Sequence, residues 1–193
     1  MINRDYWDLS DNPHTELKLE MLEKYLSAWA DILLGQYRLR QDWFAYRTLY
    51  YIDCFSGRGK YHKNGKNDCI AGSPLIALKI ASAKKELYRE KYGLDIEIKC
   101  RFVEAKQKSA KELREFCKPY ENKVDLKIYD DDFNNVIGDL VKETDYSPTF
   151  FFVDAGGIKE LKKESVSKII SKKGARDYVE LHNRWSSKNW RTG

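Results

Sequence analysis

Leu49-Tyr50-Tyr51-Ile52-Asp53-Cys54-Phe55-Ser56-Gly57-Arg58-Gly59 decides how this chain folds, because an apolar run ends in an acid and then in a Gly-x-Gly turn. A continuous β-branched and aromatic run reads as a parallel strand buried on both faces. The glycine pair just past its carboxyl end lets the backbone turn sharply and approach a ligand closely. Together they predict a nucleotide-cofactor loop. The third glycine of the dinucleotide fingerprint is missing, and the plainer alternative is a strand-to-helix turn.

Working outward, two later strands also end in acids. Residues 96–103 (IEIKCRFV) close on Glu104, and residues 124–129 (VDLKIY) close on Asp130-Asp131-Asp132-Phe133. Acids at the carboxyl edge of successive parallel strands line the crevice where open α/β sheets bind ligands. A carboxylate after the second strand suits ribose hydroxyls, and one after the third suits an adenine. Glu104 lies beyond Gly59 by about twice the roughly 20 residues of an NAD fingerprint, which disfavours a plain dehydrogenase. Singly, each acid reads as a helix cap or a solvated loop charge; in register with three strands they read as a site. A fourth buried strand, Thr149–Val153, ends at Asp154.

The segments between these strands read as helices. Met21, Leu22, Tyr25, Leu26, Trp29, Ile32 and Leu33 follow the 3.6-residue period and predict an amino-terminal helix covering the sheet. Asn12-Pro13 opens it, and Gly35 ends or frays it. Residues 60–71 are polar, carry the turn signal Asn64-Gly65, and read as a loop flap beside the glycine turn. Gly72-Ser73-Pro74 then announces a helix to Tyr92-Gly93, with Ser73 as its cap and Pro74 in its first turn. Helices over 106–116, 133–143 and 158–170 complete a strand–helix alternation. The expected class is α/β, a parallel sheet with helices on both faces.

Composition fits one domain. The 193 residues are 42% hydrophobic, with thirteen tyrosines, eight phenylalanines and five tryptophans, enough for a sizeable core. No apolar run is long enough to span a bilayer and the amino terminus lacks a signal-peptide core, so the expected location is cytoplasmic, with no membrane association. Cys54, Cys69, Cys100 and Cys117 form no C-x-x-C pair, and the three histidines have no ligand spacing; no metal is expected, and the cysteines read as buried reduced thiols. From Ile158 onward there are ten Lys/Arg against four Asp/Glu, a net +6 in a chain whose total is +5. That basic end, with Trp185 and Trp190, suits nucleic acid through phosphate contacts and base stacking; solvated helix faces are the alternative.

Several segments in order resemble one family. These are His14-Thr15 through Lys18 to Tyr25-Leu26-x-x-Trp29, Tyr51-Ile52-Asp53-x-Phe55-x-Gly57-x-Gly59, Gly72-Ser73-Pro74-Leu75-Ile76-Ala77-Leu78, Phe102-x-Glu104 and Phe151-Phe152-Val153-Asp154. Over roughly residues 14–172 the chain resembles the bacterial and phage three-Cys-motif partner family, TcmP. The resemblance implies a Rossmann-like class I methyltransferase-type sheet with S-adenosylmethionine as cofactor. It also implies a radical-SAM-type partner that carries the three-cysteine motif. Carried over by position, Asp53, Gly57 and Gly59 would hold the amino-acid end of the cofactor, Glu104 the ribose, and Asp132 with Phe133 the adenine, with Phe55 a further cofactor-binding residue. Asp154 takes the catalytic position, where an acid orients an amine or hydroxyl for methyl transfer.

The chain departs from the family in two places. The family pattern Asp-Pro-Phe-Gly reads Asp154-Ala155-Gly156-Gly157 here, losing a rigid stacking wall for a planar acceptor. A complete methyltransferase sheet has seven strands, whereas this sequence supplies four and a fifth at 178–181. Residues 1–173 therefore read as a truncated methyltransferase-like domain with an N-terminal helical extension, and 174–193 as a divergent basic tail. A sheet open at Thr149–Val153 would invite a homodimer or a docked partner. The leading expectation is an S-adenosylmethionine-binding, methyltransferase-like protein; the alternative is a non-catalytic adaptor of the three-Cys-motif protein in a defence-type locus. A nuclease built on Asp130 to Asp132 lacks paired metal ligands.

Overall fold

The computed structural model describes residues 13–40, 46–63, 68–144, 146–155, 161–172 and 179–181. In chain order they form α1 (Pro13–Arg40), β1 (Thr48–Asp53), β2 (Lys60–Lys63), β3 (Asp68–Ala71), α2 (Ser73–Tyr92), β4 (Glu97–Val103) and α3 (Gln107–Cys117). A short 3-10 turn (Lys118–Tyr120) leads to β5 (Leu126–Tyr129), α4 (Phe133–Glu143), β6 (Thr149–Val153), α5 (Lys163–Ile170) and β7 (Val179–Leu181).

The decisive stretch is the central strand. The main sheet has the order β5-β4-β1-β6-β7, and every neighbouring pair is parallel. Counting only its own strands, the order is 3-2-1-4-5, that of a Rossmann-like fold. The chain winds outward through β4 and β5, then crosses back to β6 on the other side of β1. Asp53 is in register with Phe102 on one side and Phe152 on the other, so the strand ends and their acids share one edge.

Both faces of the sheet are buried, as alternating side chains require. Tyr51, Phe102, Phe150 and Phe152 point into a core closed by α1, α2 and α3. Ile52, Val103, Phe151 and Val153 point the other way, into a core closed by α4 and α5. Aromatic contacts lock the first layer: Tyr51 stacks on Phe150 at 6.0 Å, and Trp29 of α1 meets Phe150 edge-on at 5.6 Å. Such pairs add about 1 kcal/mol each beyond area burial.

Four local expectations are corrected. α1 runs through Gly35 to Arg40, because fully buried Leu34 and core-packed Leu33 and Tyr37 outweigh a mid-helix glycine penalty of about 1 kcal/mol. The apolar period of α1 is not one face: Leu22, Leu26 and Trp29 are buried, while Tyr25 and Ile32 are exposed. The 60–71 segment is an antiparallel hairpin, β2 with β3, not a loop flap; its Asn64-Gly65 turn lies outside the described residues. Ser73 is not the cap of α2. Gly72 is, because its N–H must reach the Gly59 carbonyl at 2.8 Å, and a Cβ there would sit 2.9 Å from that oxygen.

The open sheet edge is also corrected. β7 pairs with β6 from Phe151↔Val179 to Val153↔Leu181, so β6 is an internal strand over that length. The rest of 174–193, including Trp185 and Trp190, lies outside the described residues, as do Gly156 and Gly157. Cys54, Cys100 and Cys117 are buried as expected, but Cys69 is exposed on β3, its sulfur 3.4 Å from His62 Nδ1. Among the described residues no helix is long and apolar enough to cross a membrane.

Candidate functional site

Beyond the carboxyl ends of β1, β4, β5 and β6 the chain leaves a cleft of about 330 Å³. It lies where winding reverses between β1 and β6, the general position of ligand crevices in open α/β sheets. Phe55, Gly57, Glu104, Asp132, Phe133 and Asp154 line it; Asp53 and Gly59 do not.

Asp53 lies underneath, with no exposed surface. Its carboxylate accepts from the Tyr51 hydroxyl at 3.2 Å, from the Phe55 N–H at 3.3 Å, and from Ser73 at the start of α2. Burial pushes the carboxyl up to about 7 although these hydrogen bonds pull it down, and the Asp154 charge adds to the rise. Asp53 thus ties the β1 turn to the first turn of α2. The same pocket suppresses two neighbours: burial holds the Cys54 thiol well above its ordinary value, with Asp53 adding to it, and burial likewise raises Tyr61. Cys54 is a packing residue, not a nucleophile.

The turn itself depends on glycine. Gly57 and Gly59 have φ of 62° and 89°, a region that residues with a Cβ rarely adopt. Gly57 opens onto the cleft, and its N–H donates to Glu104 Oε2 at 2.8 Å. Gly59 instead faces α3, where a Cβ would come within 2.9 Å of Leu113 Cδ1. One glycine shapes the site; the other packs the loop against a helix.

Glu104 staples two backbones together. Its second oxygen accepts from the Lys106 N–H at 2.8 Å. Each carboxylate oxygen has a further lone pair, so the side chain can still accept hydroxyls from a ligand. Asp132 caps α4: Oδ1 accepts from the backbone N–H and the side-chain amide of Asn134, both at 2.8 Å. Asp131 Oδ1 accepts from the Asp132 N–H at 2.6 Å and the Asn135 amide at 2.8 Å, and these bonds hold its carboxyl below the ordinary range. Asp130 lies 3.5 Å from Arg114. The acidic run is therefore a set of capping and pairing groups. Phe133 is almost wholly buried, its ring 5.4 Å from that of Phe55. Both line the cleft and form an apolar part of its wall.

At the opposite end Asp154 is bound by a residue that sequence reasoning gave no role. Lys18 of α1 donates to both carboxylate oxygens, at 2.8 and 2.6 Å, across 136 positions of sequence. Thr15 and Lys18 line this end of the cleft together with Tyr61 of the hairpin. In sequence Lys18 reads as one more charge on a helix; only the segment running from His14 to Lys18 in the family resemblance touched it. Nothing in the spacing could link it to Asp154, because the pair exists only once α1 crosses the sheet edge. No protein-family model matches the chain, and no curated protein matches it.

Proposed function

We propose that the chain binds S-adenosylmethionine in this cleft and is a methyltransferase-like protein of the three-Cys-motif partner type. The observation that carries the reading is the contact between Gly57 and Glu104. A positive-φ turn after β1 is held against the acid after β4, next to an aromatic wall, with an acid-capped helix beyond it. That arrangement suits a nucleoside: Glu104 for ribose hydroxyls, Phe55 and Phe133 for the flat base, and Asp132 for its amino edge. The Gly57 side and the α1 end suit the amino-acid tail.

One observation favours the second reading, a non-catalytic partner of a radical-SAM-type three-Cys-motif protein. Lys18 occupies both oxygens of Asp154, the residue in the catalytic position. Each oxygen keeps a further lone pair, so an acceptor would share Asp154 with the Lys18 ammonium, which competes with it for the carboxylate. The acceptor class, nucleic acid included, is the next question.

Isothermal titration with S-adenosylhomocysteine tests the cofactor assignment. Glu104→Gln keeps a side-chain acceptor but loses the charge and one oxygen, and is expected to weaken binding at least tenfold while the chain stays folded. Unchanged affinity in Glu104→Gln, or no binding by the unaltered chain, would overturn the assignment. Methyl transfer to any acceptor by the purified chain would reject the non-catalytic reading.

A further inference from the structure

α1 carries a second apolar stripe that the sheet does not use. At about 100° per residue, Leu17, Met21, Tyr25, Ala28, Ile32 and Leu39 fall within roughly 80° of one another, on the side away from Leu22, Leu26 and Trp29. Leu17, Tyr25, Ile32 and Leu39 are 56, 55, 59 and 77% exposed. Gly35 lies on the same line, and a Cβ added there would meet nothing within 4 Å. Single exposed apolar residues are ordinary, but a continuous row roughly 33 Å long on one helix marks an interaction surface.

The spacing says what kind of partner fits. Tyr25, Ile32 and Leu39 are seven residues apart, with Ala28 and Gly35 between them. This alternation of three and four is the seam of one helix lying along another. We propose that the stripe is a homodimer seam, in which α1 of a second copy packs antiparallel against it.

Two features favour a second copy in that orientation. A two-fold interface must be self-complementary, and the stripe is nearly symmetric about Ala28: Leu17 and Leu39 are equidistant from it, as are Met21 and Gly35, and Tyr25 and Ile32 are so to within one residue. Inversion therefore sets large residues against large ones at both ends and the Met21 side chain against the open glycine. Charge agrees. Exposed Glu20 and Arg38 flank the stripe on the same side, equidistant from residue 29. Inversion brings Glu20 of one copy near Arg38 of the other, twice by symmetry, whereas a parallel pair puts each copy's Glu20 and Arg38 on opposite edges of the seam, where they do not meet, and aligns the helix dipoles unfavourably. Asp31, also on that side, is taken by Lys84 of its own chain. Because Leu17 adjoins Lys18, the seam also steadies the helix that closes one end of the cleft.

Sedimentation velocity of the full chain from about 1 to 200 μM tests this, with the masses expected to move toward twice 22.7 kDa. Ile32→Lys, at an exposed position, is expected to sediment as a monomer and to melt at the same temperature as the unaltered chain when both are dilute enough to be monomeric. A chain that stays monomeric throughout, as it would if another segment of the same chain covered the stripe, overturns the proposal. So does an Ile32→Lys variant that remains a dimer. Should that variant fold poorly, oxidation in a Cys69→Ser background decides: Ala28→Cys is expected to cross-link to itself and Leu17→Cys is not. Cross-linking of Leu17→Cys, or of neither, contradicts the antiparallel seam.

Discussion

Asp53 is the residue on which the site's construction turns. It sits at the end of the central strand without exposure, and its carboxyl is pushed up to about 7. A folded-state value above the unfolded value means that the native chain holds the proton more tightly. The stabilisation is therefore fully present below the ordinary aspartate value, near 4, and is lost as pH rises through about 7. Asp53→Asn keeps the shape and removes the titration. Its urea midpoint is expected to be flatter than that of the unaltered chain between pH 5 and 8, and equal slopes would refute the assignment. Alanine at this position would leave the Tyr51 and Ser73 hydroxyls and the Phe55 N–H without their acceptor, so asparagine is the informative change. At the other end of the cleft, Lys18→Met leaves a three-quarters-buried Asp154 carboxylate without its cation. A loss of about 1 kcal/mol is expected in urea unfolding; no loss would mean that the ion pair does not persist in solution.

Two small constructions hold the elements around the cleft. The first is the glycine turn, where Gly59 faces Leu113 at φ 89° and its carbonyl receives the Gly72 N–H. Gly59→Ala strains the backbone and crowds α3, so a loss of about 2 kcal/mol or more is expected from thermal unfolding. A neutral result would show that the loop relaxes freely. The second is Arg101 on β4, nearly buried, whose guanidinium reaches Asp125 before β5 at 2.9 Å and Glu143 at the end of α4 at 2.6 Å. Burial pushes both acids up, but hydrogen bonds outweigh it, from Lys99 and Arg101 on Asp125 and from Arg101 on Glu143, and both end below their ordinary values. Stability from depressed acids is present above about pH 4 and lost below it. Arg101→Met is expected to lose about 2 kcal/mol at neutral pH, discounted because the acids are about a third exposed, with the gap narrowing as pH falls below about 4. A gap independent of pH would assign the loss to packing instead.

These elements also show what the sequence carries and what it hides. Strand identity was legible because residues 49–52 of β1 and 150–153 of β6 are continuous apolar runs, each closing on an acid. The hairpin was not: its strands are only four residues long, mix polar residues with apolar ones, and are fixed by pairing with each other. Nor were the two faces of α1 distinguishable, since apolar residues recur on both and only the sheet decides which is buried. Glu104 and Asp154 were legible as strand-end acids. Their partners, the Gly57 N–H and Lys18, required the fold.

At the scale of the molecule, five parallel strands in the order 3-2-1-4-5 bring every acid of the site to one edge. The reversal between β1 and β6 opens the cleft there, and α1 closes one end of it through Thr15 and Lys18. Neutral Asp53 favours acidic conditions and the Arg101 network disfavours them, so stability is expected to peak between about pH 4 and 6. The central claim, that the cleft holds S-adenosylmethionine, is tested most directly by thermal unfolding with and without S-adenosylmethionine and S-adenosylhomocysteine. Ligand at about a hundred times its dissociation constant adds about 2.7 kcal/mol, and a rise of roughly 5–10 °C is expected for a chain of this size. Cooperative melting with no rise at millimolar ligand would contradict the claim.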